Sequence, residues 1–367
     1  METSSLPSKV LGSLIVIGAV LMSTGCLDRT PDQSGVFTTE DSGGDWRAIP
    51  DLTDPEVEEP DTYPPLSVTA VGVNPEVPER VFAGTEDNLY RSTDAGRSWE
   101  DITEALPDTD AVAVQEIGTD ARIPEAVYVA GVAQGYGKVF RSTDGGRSFE
   151  AVFTGSVPRR GATSVAFGPD PNTVYVGDQE GNVYRSRDGG STWQRIFSTE
   201  AAVTVLASSG PHLFAGTFGS GVFHSPDGGN TFTPVNTGLP RGSQTVWDME
   251  TGNGGLYLGT DEGLFLTRDF GRSWGGIGNP FPENAGRVQA VAVEGPQVFF
   301  ASGAVVYRVP PEGERFTPRQ LDLVRNVTDL AAVSSERLYA GGHYRDFTAF
   351  EQLMPGFPRV NINPQAR

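Results

Sequence analysis

Acidic side chains occur in pairs where three short apolar runs of this sequence end. The pairs are Glu86 with Asp87, Asp178 with Glu180, and Asp261 with Glu262. Two carboxylates about 5–10 Å apart across a cleft can cleave a glycosidic bond, one acting as acid and the other as base or nucleophile. The same residue types also favour tight turns, because aspartate accepts backbone N–H groups there. Hydrolysis by Asp178, Glu180, Asp261 and Glu262 is one hypothesis, and turn chemistry is the simpler interpretation.

A short recurring pattern indicates how the chain positions these acids. It reads Ser/Thr-x-Asp-x-Gly-x-Ser/Thr-aromatic, and its aspartates are Asp41, Asp94, Asp144, Asp188, Asp227 and Asp269. From Asp94 onwards the aspartates lie 39 to 50 residues apart. Residues 66–73 alternate between apolar and polar, and similar apolar runs separate the other copies, as expected for short strands. This period is the length of one four-stranded propeller blade.

The two ends of the chain supply complementary halves of one further repeat. Residues 327–333 and 337–342 resemble first and second strands without the pattern, while 35–39 and 46–49 resemble a third and a fourth. Pairing the ends would remove the free sheet edges. The sequence therefore predicts an all-β fold over residues 35–343, a single seven-bladed β-propeller whose last blade is closed by both N- and C-terminal strands.

The pattern itself has the chemistry of a structural turn. Its aspartate can accept backbone N–H groups, its glycine allows a positive φ, and its hydroxyls can hold nearby backbone. Its aromatic residue can bury a large area between neighbouring sheets, which stabilises the fold by about 2–3 kcal/mol. We therefore interpret the six copies as structural elements and not as six ligand sites.

The pattern resembles the Asp-box, also called the BNR repeat. In proteins that share it, this turn joins the third and fourth strands on the face opposite the usual binding site. Those proteins include sialidases, xyloglucan-type glycoside hydrolases, sortilin-type receptors and photosystem II assembly-factor lipoproteins. The resemblance therefore implies the fold and leaves the function open.

Two enzymatic alternatives within this group can be weighed on the residues. Sialidases carry a Phe-Arg-Ile-Pro motif, which Arg122-Ile123-Pro124 matches in part, but these residues fall in a turn expected on the Asp-box side. The sequence also lacks a convincing set of three arginines with a Tyr/Glu pair. Xyloglucan-active relatives hold their acids between two propellers, and a single propeller is predicted for this chain.

The first residues resemble a bacterial lipoprotein signal. Lys9 precedes the apolar run 10–22, which is too short to span a bilayer as a helix, and Cys26 follows small residues. We expect a signal peptide over 1–25, lipid on Cys26, and a short linker over 26–34. The protein would then be anchored on the extracytoplasmic side of a bacterial membrane, either periplasmic or surface-exposed. Because Cys26 is the one cysteine, the fold must hold without disulfides.

Composition narrows the set of partners. The formal charge is -20, from 47 acids and 27 bases, and such a surface repels phosphate backbones, which disfavours nucleic-acid binding. The histidines at 212, 224 and 343 are scattered along the chain and the single cysteine is far from them, so neither a metal site nor a cofactor is predicted.

The face opposite the repeated turn is the predicted binding face, and 344–367 is predicted to be an irregular tail. Arginine and aromatic residues are favoured anchors of interfaces, and the loops predicted on that face offer Arg159, Arg160, Arg241, Arg325, Tyr136, Phe218, Phe281 and Tyr344. The leading hypothesis is a membrane-anchored, non-catalytic binding or scaffold protein for a protein or glycan partner. The alternative is a sialidase-like or xyloglucanase-like glycoside hydrolase that uses the loop carboxylates.

Overall fold

A computed structural model describes most of the chain. The described residues are 33–39, 47–50, 67–277, 286–309, 317–320, 326–334 and 337–343, and all belong to one compact unit, residues 32–367. In these ranges the secondary structure is almost entirely β, with short 3-10 helices at Thr103–Ala105 and Arg241–Gln244. None of the helices described is long or apolar enough to cross a membrane.

The strands form seven antiparallel four-stranded sheets, the blades, which we number along the chain. Blade 1 contains β3 (Val68–Asn74), β4 (Val77–Thr85), β5 (Leu89–Ser92) and β6 (Glu100–Asp101). Blade 2 contains β7 (Ala113–Asp120), β8 (Ile123–Ala133), β9 (Tyr136–Ser142) and β10 (Glu150–Pro158). Blade 3 contains β11 (Ala162–Phe167), β12 (Val174–Asp178), β13 (Asn182–Ser186) and β14 (Gln194–Ser198).

The next three blades repeat this order. Blade 4 contains β15 (Val203–Ser209), β16 (His212–Thr217), β17 (Val222–Ser225) and β18 (Thr233–Pro234). Blade 5 contains β19 (Val246–Gly252), β20 (Gly255–Thr260), β21 (Gly263–Thr267) and β22 (Gly275–Gly276). Blade 6 contains β23 (Ala290–Glu294), β24 (Gln297–Ser302), β25 (Val305–Arg308) and β26 (Thr317–Gln320).

Blade 7 joins the two ends of the described chain. Its strand order is β2 (Arg47–Pro50), β1 (Gln33–Thr39), β28 (Leu338–His343), β27 (Asn326–Ala332). The closing pair places Val36 opposite Gly341 and Thr39 opposite Leu338. The predicted seven-bladed propeller, with a last blade built from both terminal strands, is confirmed.

The core lies between the blades. The buried apolar side chains of the described residues form seven clusters, and each cluster lies between two neighbouring blades. Blades 4 and 5, for example, bury Phe214, Leu258 and Trp274 against each other. Because each sheet is apolar on both faces, each blade needs a neighbour on both sides.

The repeated turn is a closed hydrogen-bond network. In blade 2 the buried Ser142 hydroxyl donates to Asp144 Oδ1 over 2.8 Å and accepts the Gly146 amide over 2.8 Å. Asp144 also accepts the amide and hydroxyl of Ser148, over 3.0 and 2.7 Å. The same four bonds are present around Asp94, Asp188, Asp227 and Asp269.

These bonds favour the ionised carboxylate. The hydroxyl and amide of Thr192 lower the pKa of Asp188 to about 2. A carboxylate whose folded pKa lies below its unfolded value stabilises the fold above the unfolded pKa, and this contribution is lost as pH falls through the folded value. The turns therefore lose stability between about pH 4 and pH 2.

The turns also define two faces of the ring. Amides in four of them donate to the turn between the first and second strands or to the start of the second strand, as from Gly189 to Asn172 and from Gly145 to Glu125. Both kinds of turn therefore share one side, which we name the turn face. The turns between second and third strands and the connections between blades form the other side, which we name the loop face.

We expect Ser142→Ala to lower the free energy of unfolding by about 1–3 kcal/mol, because the change leaves the buried Gly146 amide without its acceptor. Chemical denaturation measures this effect. Ser148→Ala is the control, since it removes one exposed hydroxyl from the same turn and should cost less than about 1 kcal/mol. Equal losses in the two variants would contradict the structural role given to Ser142.

Candidate functional site

The innermost strands of the blades line a central channel of about 370 Å³. Six of these strands carry a β-bulge near the end that faces the loop face. The bulged residues are Thr69, Gln115, Thr163, Thr204, Trp247 and Thr328. Three of the threonine hydroxyls donate to a carbonyl of the next blade, at Val114, Val203 and Val68.

Trp247 departs from this pattern and forms a cluster at the channel mouth. The guanidinium carbon of Arg287, from the connection into blade 6, lies 4.3 Å from the centre of the Trp247 ring. Phe218, from the turn after β16, meets the same ring edge-on at 6.0 Å. Cation–π and edge-to-face contacts of this kind each stabilise a pair by about 0.5–1.5 kcal/mol.

Asp261 completes this cluster, which we name the channel-mouth cluster (Phe218, Trp247, Asp261 and Arg287). Its Oδ1 accepts the Trp247 indole N–H and the Arg287 Nε–H, both over 2.9 Å. The Arg287 and Asp261 side chains remain 25% and 34% exposed. The cluster is therefore held in place and still presents a cation and aromatic edges to the loop face.

Two other residues predicted from the sequence lie beside this cluster. Arg241 is exposed in the connection between blades 4 and 5. The Glu262 carboxylate packs against the backbone of Gly242 so closely that a Cβ there would lie 1.7 Å from Glu262 Oε1. Phe218, Arg241, Asp261 and Glu262 are thus brought together across blades 4 and 5.

A second group of predicted residues lies on the loop face of blades 2 and 3. Tyr136 is 37% exposed and pairs with Pro158 across the ladder between β9 and β10. Arg159 is exposed with a φ of 61°, and its amide donates to Gly135 over 2.6 Å. The Arg160 charge lies near Glu180.

The acids of blade 3 differ in environment. Asp178 is 5% exposed, and its carboxylate accepts the amides of Glu180 and Asn182 and the Asn182 side chain. Its oxygens are thereby committed to the turn. Burial, followed by the Asp178 charge, raises the pKa of Glu180.

Several residues singled out from the sequence lie elsewhere. Arg325, Phe281, Tyr344, Asp41 and Cys26 lie outside the described residues. Arg122 lies in the turn between β7 and β8 on the turn face, where it pairs with Asp120 over 2.6 Å and donates to the Pro169 carbonyl.

Below the channel mouth, carboxylates connect neighbouring blades. Asp248 Oδ2 accepts the Val291 amide of blade 6 over 2.6 Å, and Asp329 Oδ2 accepts the Val71 amide of blade 1 over 2.8 Å. The second oxygen of each carboxylate accepts the amide of the next residue in its own strand. These acids satisfy backbone donors that face the channel, so their first role is structural.

Glu116 and Glu250 add two more acids to the same channel. Burial raises the pKa of both to about 8, and it raises those of Asp248 and Asp329 to about 6 and about 7. Each acid is half-buried, because protein surrounds it while one side meets the channel. Among the described residues, no arginine or lysine lines this channel, and none donates a hydrogen bond to the Glu250 carboxylate.

Glu250 also breaks the pattern of its position. The equivalent residues of the other blades are all glycine or alanine, namely Gly72, Gly118, Ala166, Ala207, Ala292 and Ala331. Nowhere in the described ranges do three or more His, Cys, Asp or Glu side chains form a metal-binding group.

The sequence pointed to Phe218 and Asp261 but not to Trp247 or Arg287. Trp247 lies in a strand, whereas the sequence predicts binding residues in loops. An alignment of the repeats would single out Trp247, since the equivalent residues at the other five bulges are threonine or glutamine.

Comparison with known proteins supports the fold. The family described as "Sortilin, neurotensin receptor 3" matches residues 87–198, less than half of the chain. No curated protein matches the sequence. Solved propellers are similar at low sequence identity, which establishes the fold alone.

Three solved structures illustrate the range of proteins to which this chain is similar. A GH74 xyloglucanase from Xanthomonas campestris is 19% identical with a TM-score of 0.64, covering 76% of this chain and 51% of the enzyme, so this chain spans about half its length. YCF48 bound to D1 peptide is 18% identical with a TM-score of 0.57, covering 77% and 94%. The RRP9 WD40 repeats are 15% identical with a TM-score of 0.58, covering 76% and 88%.

We expect Glu250→Gln to stabilise the protein at pH 8 by up to about 4 kcal/mol and to leave it nearly unchanged at pH 4. The folded pKa of about 8 lies above the ordinary 4.5, so the ionised form opposes folding. This penalty is absent below about pH 4.5 and grows as pH rises towards 8.

Thermal unfolding at both pH values measures the difference. Glu200→Gln, which changes an exposed acid, is the matched control and should be neutral at both. A stabilisation by Glu250→Gln that does not depend on pH would contradict the expectation.

Proposed function

We propose that this protein is a non-catalytic binding propeller that recognises a partner on its loop face, with the channel-mouth cluster as anchor. The observation that carries the proposal is Trp247, placed where the other blades carry small or amide side chains and held between Arg287 and Asp261. Tryptophan and arginine are the residues most enriched among binding hot spots. A protein partner fits such an anchor best, and a glycan is the alternative.

The environment of the acids favours binding over hydrolysis. Asp261 Oδ1 already accepts two donors, and the Asp178 carboxylate is bound within its own turn. A glycosidase needs one carboxylate free to attack or to activate water and a second that delivers a proton. Glu180, with its raised pKa, could serve as an acid, but its neighbour Asp178 is a turn acceptor.

The solved structures bear on the partner by analogy of fold only. YCF48 bound to D1 peptide is a propeller of similar extent with a peptide ligand. The xyloglucanase extends over about twice the length of this chain. The analogy therefore supports a protein or peptide partner for a propeller of this size.

The location of the protein forms part of the proposal. The repeated turns resemble Asp-boxes, and the first residues resemble a lipoprotein signal, so we propose a lipid on Cys26 that anchors the propeller outside the cytoplasm. The six residues between Cys26 and the start of β1 at Gln33 span about 21 Å at most when extended. The partner would then lie at or near the membrane surface.

We expect the double variant Trp247→Ala, Arg287→Ala to weaken partner binding by about thirtyfold, the effect of losing a hot spot worth about 2 kcal/mol. A photo-crosslinking residue at Phe218, used on bacterial membranes, would identify the partner, and titration with that purified partner would give the affinity.

Arg97→Ala, which removes an exposed arginine from the turn face, is the control and should leave the affinity unchanged. Unaltered affinity in the double variant would contradict the proposed anchor.

We expect no hydrolysis of xyloglucan or of sialylated glycans by the purified protein. Release of reducing sugar or sialic acid measures this. If activity is found, Glu180→Gln and Glu262→Gln test whether the loop carboxylates carry it. An activity that either variant abolishes would replace the binding proposal by the glycosidase alternative.

A further inference from the structure

Among the five junctions whose repeated turn is described, one departs from the others on the turn face. At the junctions of blades 2 and 3 and of blades 3 and 4, two side chains donate to the carbonyl of the first glycine in the next repeated turn. The donors are Tyr128 and Arg141 to Gly189, and Tyr175 and Arg185 to Gly228. The junction of blades 1 and 2 uses Arg91 to Gly145, and that of blades 7 and 1 uses Tyr339 to Ala95.

Blades 4 and 5 have none of these donors. Phe214 takes the place of the tyrosine and His224 that of the arginine, and the residue in the turn is Phe270. No described residue donates a hydrogen bond to the Phe270 carbonyl. The hydrogen bonds that join the blades at the other described junctions are replaced here by packed aromatic rings.

These rings form an ordered stack. Phe270 lies 3.8 Å from His212 at 11°, and Phe214 lies 4.5 Å from His224 at 15°. The two histidines join the halves through a hydrogen bond of 2.9 Å between His212 Nδ1 and His224 Nε2. Because one nitrogen must donate and the other accept, this bond needs at least one neutral ring. Burial and the His212 charge lower the pKa of His224 to about 4, which keeps it neutral at ordinary pH.

Phe270 is an unfavourable residue for its position. Its φ is 61°, a conformation that the other four described turns give to glycine or alanine. A bulky residue with positive φ is an outlier that persists only where its surroundings hold it, and such outliers concentrate at ligand sites. The residue is nevertheless 45% exposed, the largest exposed fraction among the described large hydrophobic residues. Burial of the ring therefore does not account for it.

A cavity of about 360 Å³ opens beside Phe270. Ser209, Phe214 and Thr251 contribute to its wall, and Arg268 is the one charged residue in its lining. Arg272, exposed nearby, adds a second positive charge close to His224. Asp227 also lies close to His224, so it is the charge that lines the cavity, Arg268, that favours an anion there. Its volume is at the lower end of small-molecule pockets, which run from about 300 to 1,000 Å³.

We propose that this junction is a second ligand site, on the turn face, for an acidic sugar residue of the hexuronic type. The C–H groups of a pyranose ring carry partial positive charge and pack on the negative face of an aromatic ring, here the exposed Phe270. The sugar carboxylate pairs with the Arg268 guanidinium, and Ser209 offers an unoccupied hydroxyl for the sugar hydroxyls. This site is separate from the channel-mouth cluster and does not depend on the function proposed for it.

The test is a titration of the purified full chain with D-glucuronate, with D-glucose as the neutral probe, followed by NMR. We expect millimolar saturable binding of glucuronate with shifts confined to Phe270, Ser209 and their neighbours, and binding of glucose at least tenfold weaker. Equal binding of the two sugars, or no saturable binding of glucuronate, would overturn the proposal. Binding of a peptide that ends in phenylalanine, without binding of glucuronate, would assign the site to a peptide instead.

Two variants separate the ligand role from a structural one. Phe270→Gly restores the residue of the equivalent turns, so the melting temperature should hold or rise while glucuronate binding is lost. Arg268→Gln should weaken glucuronate at least tenfold and leave glucose unaffected. Arg187→Gln, at the equivalent exposed position of blade 3, is the matched control and should change neither. Wild-type binding in Phe270→Gly, or a marked loss of its stability, would show that the ring serves the fold.

Discussion

The structure depends on the burial of both faces of every blade. Each sheet is apolar on both sides, so a blade in isolation, or at the end of an open row, would expose half of its core to water. Closing the ring removes that exposure, and the closure rests on the ladder between β1 and β28 in blade 7. The seven apolar clusters between blades follow from this one constraint.

The repeated turns keep the blades in register. Each of the five described turns places an aromatic side chain against the preceding blade, as when the Trp274 indole donates to the Val235 carbonyl over 2.6 Å. The carboxylate of each turn accepts hydrogen bonds within that turn, so the turn face is largely structural. The channel acids give stability the opposite pH dependence, because their pKa values are raised whereas those of the turn aspartates are lowered. Low pH therefore destabilises the turns, and high pH destabilises the channel.

A ring of seven similar units makes its exceptions informative. Trp247, Glu250 and Phe270 each replace a residue type that the other described blades share at the same position, and all three lie in blade 5. None is explained by the packing of a generic blade. Trp247 faces the channel mouth, Glu250 faces the channel itself, and Phe270 lies on the turn face. Blade 5 therefore carries an exceptional residue on three different surfaces. This concentration supports a search for ligands around blade 5.

The sequence by itself determined the architecture, because a pattern repeated at blade length and two half-repeats at the ends permit few other arrangements. It also placed Phe218 and Asp261 on the face where the structure has them. It did not reveal the contacts of Trp247 with Arg287, which lie 40 residues apart and meet only when blades 5 and 6 pack together. The same holds for Phe270 and His212. Local pattern fixes strands and turns through short-range chemistry, whereas a site between blades exists only after the ring has closed, and only the tertiary structure decided it.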